Sequence, residues 1–164
     1  EMGAAAPLAR GMLRRIAAAN HLARRRFFRL DEAAEALAGR ADELRLWLQL
    51  MRGGRFPLVK VLASDGATTG EFQFKHLSFQ EALFVEAVAL GEAPAFWASA
   101  PAAADSLNLA FYKNAFAIGA GHLGGALAAQ RREWDFAGAP LVSADEHRGY
   151  SRLQALLRGA TPLV

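Results

Sequence analysis

One stretch constrains the fold more than any other. From Glu71 to His76 the chain alternates strictly, with Phe72, Phe74 and His76 on one side and Glu71, Gln73 and Lys75 on the other. That is the period of a half-buried β-strand. If the two phenylalanines face a core, His76 is expected to point inward with them. The period then changes at once. Ser78-Phe79-Gln80-Glu81 has the form of a capping box, in which the serine oxygen accepts from a backbone N–H three residues on and the glutamate reaches back. The helix it opens, over 79–90, offers only Gln80, Glu81 and Glu86 to solvent. Most of its circumference must therefore be covered by neighbouring chain.

The residues before this junction fall into three helical patterns and a strand. Residues 2–29 contain no acid and carry Arg10, Arg14, Arg15, Arg24, Arg25, Arg26 and Arg29. Met12, Ile16, Ala19, Leu22 and Ala23 recur at helical spacing, which predicts one amphipathic helix with a basic face. An arginine-rich, acid-free start also has the composition of an organellar transit peptide, but the pattern runs without a break into structured sequence. Asp31 is placed to cap a short helix over 32–38, with Gly39 just past its end. A third helix is expected over 41–51, with Leu44, Trp47, Leu48 and Met51 on one face and Gly53-Gly54 as the stop. Leu58, Val59, Val61 and Leu62 then read as a strand, and Ser64-Asp65-Gly66 as the turn into the alternating segment. Three helices followed by a hairpin outline a winged helix.

Downstream, residues 91–104 are rich in alanine and proline, with Phe96 and Trp97 as anchors, and two more helices are expected over 106–118 and 122–131. Residues 134–141, Trp-Asp-Phe-Ala-Gly-Ala-Pro-Leu, fit the strand and turn of a leucine-rich repeat, and Gly149, Leu153, Leu156, Leu157 and Gly159 its helical half. Leu163 lies 29 residues after Trp134, within the range of that repeat. A lone repeat cannot bury its apolar face, so one on each side is needed. The expected fold class is thus mainly α with a small β component (α+β). A winged-helix-like module over 1–76 precedes a helical linker domain over 77–132 and a first, α/β leucine-rich repeat over 133–164. The chain starts at Glu1 and stops inside a pattern, as a piece of a longer protein would.

Composition removes several chemistries. No cysteine occurs among the 164 residues, so disulfides, thiolate zinc sites and cysteine nucleophiles are excluded. The histidines at 21, 76, 122 and 147 show no i,i+4 pairing, so no metal site is expected. No P-loop and no Gly-x-Ser-x-Gly is present, and no apolar run reaches the ~18 residues of a membrane span. The chain is therefore expected to be non-enzymatic, without a metal and away from the membrane.

The stretch from Phe72 to Glu81, Phe-Gln-Phe-Lys-His-Leu-Ser-Phe-Gln-Glu, resembles the F-x-F-x-H-x-S/T-F-Q-E segment of NACHT-type NOD-like receptors and related signal-transduction NTPases. In that family the segment closes the winged helix and starts the next helical domain, and leucine-rich repeats often follow. The resemblance implies that His76 contacts the β-phosphate of ADP held by a nucleotide-binding core. These residues lack that core, so they would hold no cofactor alone, and ADP or ATP would belong to the parent protein. It also implies a cytoplasmic signalling protein, with the core as intramolecular partner and a protein or ligand bound by the repeats.

Two other readings stand beside it. A DNA-binding winged helix would use Arg14, Arg15, Arg24, Arg25 and Arg26 on phosphates, but the helix before the hairpin is mostly apolar, so nucleic acid is not expected as a partner. Residues 119–124, Gly-Ala-Gly-His-Leu-Gly, match a dinucleotide-binding fingerprint, with Asp145 as the ribose acid of an NAD(P)-dependent oxidoreductase. That reading requires residues 115–118 to form a buried strand.

Overall fold

The structure is a computed structural model that describes residues 2–54, 56–64, 70–97, 109–115 and 117–119. Among them the chain is mostly helical with one small three-stranded antiparallel sheet, a mainly α (α+β) arrangement. Its contacts divide it into two compact units, 1–84 and 85–164. The leucine-rich repeat expected over 133–164, the helix over 122–131, Asp145, and the histidines at 122 and 147 lie outside the described residues.

In the first unit, helix α1 (Met2–Leu22) is followed by strand β1 (Phe27–Arg29), helix α2 (Leu30–Ala36) and helix α3 (Ala41–Gly53). Strands β2 (Val59–Ser64) and β3 (Gly70–Phe74) come next, then helix α4 (Leu77–Ala89). The sheet order is β1-β3-β2.

Helix α1 stops at Leu22, so the expected helix through Arg29 is corrected. Arg24 takes a left-handed conformation at φ 54°. Its N–H donates to the His21 carbonyl (3.0 Å), and the Arg25 N–H donates to the Asn20 carbonyl (2.8 Å). This is the Schellman arrangement, which usually has glycine at the left-handed position; here an arginine carries the strain, on the order of 1 kcal/mol. The turn frees Phe27-Phe28-Arg29 to pair with β3, matching Phe27 with Gln73, Phe28 with Phe72 and Arg29 with Glu71.

Helix α2 begins at Leu30 rather than after Asp31. The N–H of Arg29 donates to Glu32 Oε2 (2.7 Å), so the glutamate in the third helical position caps the turn, while Asp31 accepts from the Glu32 N–H (3.1 Å). Helix α3 ends where Gly53-Gly54 predicts, with Gly54 left-handed at φ 62°.

Phe28, Phe72, Phe74 and Val59 point to the same side of the sheet and are buried with Met12, Leu13 and Ile16 of α1, Ala33 of α2 and Leu37 at its end, Trp47 of α3, and Phe56. Rings dominate this core. Trp47 lies 4.4 Å from Phe56 and 5.1 Å from Phe72 between centroids, and Phe28 lies 5.6 Å from Phe72 and 5.9 Å from Trp47. Offset and edge-on pairs at such distances are favourable beyond their buried area. Gly70 makes room for this cluster, because a Cβ there would sit 2.6 Å from Phe72 Cζ. A second tie joins α1 to α3: Arg15 Nε donates to Glu43 Oε2 at 3.0 Å, both side chains largely buried.

Within the second unit, Phe96 is buried with its ring 5.3 Å from Tyr112, and Val85, Ala87, Val88, Ala93 and Ala115 are also buried. No helix among the described residues is long and apolar enough to cross a membrane.

Phe72 touches the strand partner, the α3 tryptophan and Phe56, so its truncation leaves a cavity that none of them can fill alone. Phe72→Ala is expected to lower the unfolding free energy by about 3–5 kcal/mol, measured by urea denaturation followed through tryptophan fluorescence.

Candidate functional site

The junction between β3 and α4 is built from the decamer singled out above. Phe72 and Phe74 are buried, as the alternation predicts. The strand ends at Phe74, however, and Lys75 and His76 form a bend. Period two lapses where the ladder stops, so His76 is exposed instead of pointing inward. Its carbonyl accepts the Phe79 N–H (3.1 Å), closing the first turn of α4. Its ring meets Phe79 edge to face, with centroids 5.1 Å apart and planes at 87°. Phe79 is half-buried and packs against the aromatic core, so the exposed imidazole rests against a ring that the core holds. The helix begins at Leu77, two residues earlier than the start at Phe79 that a cap at Ser78 implies.

The expectation that Gln80 and Glu81 face solvent is corrected: both are buried, while Ser78 and Ala82 are exposed. Gln80 turns inward because a polar socket awaits it. Its Nε2 donates to the Arg25 carbonyl (2.9 Å) and lies 3.5 Å from His21 Nδ1. The carbonyl contact fixes which end of the amide is nitrogen, and a nitrogen there fits a neutral His21 ring whose Nδ1 accepts. His21 is fully buried, its ring 4.5 Å from that of Phe84. Burial lowers its pKa to about 4, because a cation would lose its hydration.

His21 and Gln80 were therefore missed as a pair. The available signal was spacing: His21 follows Leu13 and Ala17 at intervals of four and shares their buried face. The strained Arg24 turn presents the Arg25 carbonyl to Gln80, so the end of α1 positions the start of α4 and, through it, His76.

As for the other candidates, the arginines assigned to phosphate contact are partly engaged. Arg15 holds Glu43, and Arg25 pairs with Glu32; Arg24 and Arg26 are exposed. The dinucleotide reading is overturned. Residues 113–115 and 117–119 are helical, and a Cβ on Gly119 would overlap Val85 Cγ1. Close packing accounts for that glycine, and the described residues of 115–118 are helical where the reading requires the strand that a pyrophosphate loop follows. No group of three or more metal-ligating side chains occurs among the described residues. Comparisons with family models, with curated proteins and with solved structures return no match.

His21 makes the junction acid-labile. Its folded pKa of about 4 lies below the unfolded value near 6.5, so the unfolded chain takes up the proton first. The His21 contribution is complete above about pH 6.5 and is lost as pH falls toward 4, a change on the order of 3 kcal/mol. Denaturant titrations between pH 7 and 4.5 should show this fall, and His21→Gln should flatten it relative to the parent chain.

Proposed function

We propose that the chain is a non-enzymatic regulatory and protein-interaction segment of a cytoplasmic signalling protein of the NACHT–leucine-rich-repeat kind. In this reading residues 1–76 are its winged-helix module, residues 77–132 its helical linker and residues 133–164 its first repeat. The order helix, strand, helix, helix, strand, strand with a β1-β3-β2 sheet supports the winged-helix identification. The resemblance rests on the decamer, and the exposed His76 ring braced on Phe79 is the observation that carries the reading. An imidazole held this way can donate to a phosphate oxygen presented by another domain. The buried residues on both sides of it would carry a change at the phosphate into the position of α4, biasing a two-state domain arrangement.

His76 alone is one contact. The phosphate cradle, the metal and the hydrolytic machinery belong to the nucleotide-binding core of the parent protein. The DNA-binding reading ranks second because Arg15 and Arg25 are already committed to carboxylates within the fold.

The purified 164-residue chain is expected to hydrolyse no ATP above the buffer rate and to keep its melting temperature in millimolar Mg-ADP. In the parent protein containing the core, His76→Ala should weaken ADP binding roughly tenfold, the scale of one charge-assisted hydrogen bond. A clear ATPase rate from the chain alone, or unchanged ADP affinity in the parent variant, contradicts the reading.

A further inference from the structure

Two departures from local preference converge on the bend that carries His76. Among the described residues, the non-glycine positions with left-handed backbone are Arg24 at φ 54° and Leu58 at φ 62°. Residues without the freedom of glycine hold such a conformation only where their surroundings require it. Leu58 precedes β2, and its carbonyl accepts the Lys75 N–H (2.8 Å) one step past the ladder pair of Val59 with Phe74. That bond ties the bend on the strand side of His76. Arg24 forms the turn after α1, and the next carbonyl, that of Arg25, accepts from Gln80 Nε2 (2.9 Å). This second bond ties the bend on the helix side. Gln80 leaves only 1% of its surface in water. An apolar side chain there would fill space without losing hydration, whereas the amide meets its carbonyl in few placements of the helix. Gln80 also adjoins Phe79, the ring against which the imidazole rests.

We infer that Gln80 is a positioning residue for His76. Its bond to the Arg25 carbonyl sets the rotation of the first turn of α4, and with it the place of Phe79 and of the imidazole beside it. The strand side is already held through Leu58, so the amide removes the remaining freedom of the bend. The functional consequence rests on the phosphate-contact reading proposed above. A hydrogen bond to a phosphate oxygen is short and directional, so a bend that shifts would lose it with the imidazole unchanged. Phosphate contact at His76 and the Gln80 bond then support each other, since coupling between two sites is reciprocal.

Two-dimensional NMR of the 164-residue chain at pH 7 tests the placement. Cross-relaxation between the ring protons of His76 and Phe79 should be present, and should fade in Gln80→Leu while the amides of Phe28 and Phe72 keep their shifts. Gln80→Asn, whose amide falls one carbon short of the Arg25 carbonyl, should behave alike and serves where the leucine variant does not fold. Arg15→Met removes the tie between α1 and α3 and should leave the ring contact in place, which separates lost position from lost stability. In the parent protein containing the core, Gln80→Leu should weaken ADP binding severalfold and add no further loss to His76→Ala. A ring contact that survives both Gln80 variants, or fades equally in Arg15→Met, overturns the inference. So does an ADP loss that persists in full beside His76→Ala. Unchanged ADP affinity in His76→Ala alone overturns the phosphate reading instead, and the ring contact still decides the role of Gln80.

Discussion

The fold depends on one cluster of rings. Phe28, Phe72 and Phe74 come from two neighbouring strands, Trp47 from α3 and Phe56 from the approach to β2, and they interlock on the inner face of a sheet only three strands wide. A sheet that small has little stability unless a helical layer covers it. Trp47 of α3 and Met12, Leu13 and Ile16 of α1 supply that cover against the strand phenylalanines, and a side chain at position 70 would collide with the Phe72 ring. The buried Trp47 Nε1–H has no acceptor among the described residues, so ring contact is what holds the side chain there.

A smaller polar cluster does the complementary work of orientation. Apolar contact is non-directional and would tolerate several placements of α4, whereas the amide of Gln80 can satisfy the Arg25 carbonyl in very few. That carbonyl is presented by the Arg24 turn, and His21 stays neutral because it is buried. The junction is therefore defined by groups on both sides: rings at Phe72 and Phe74, then an amide at Gln80. His76 lies between the two anchors, at the bend where neither the strand nor the helix controls its side chain. This explains how a residue inside an enclosed segment reaches the surface.

Much of the fold was legible in sequence. The strict alternation gave the inward phenylalanines, and the pair Gly53-Gly54 gave the end of α3. Strand β1 was not, because three residues are too short to show a period and they follow a run of arginines that extends the helical pattern. Its trace was the adjacent pair Phe27-Phe28, two bulky rings that a basic helical face does not need. The end of α1 was hidden because arginine, not glycine, fills the left-handed position. At the site, residue type misled: Gln80 and Glu81 were assigned to solvent for being polar, and His76 to the core by extending an alternation past the last ladder bond. Both errors come from local rules that tertiary partners override.

The chain turns Phe72 and Phe74 inward and His76 outward at one bend, while His21 is fully buried. Carbethoxylation by diethyl pyrocarbonate at pH 7, mapped by peptide mass spectrometry, reads both histidines in one native sample. Rapid modification of His76 with His21 protected until the chain unfolds is the predicted result; a protected His76, or a His21 that reacts as fast, contradicts the account.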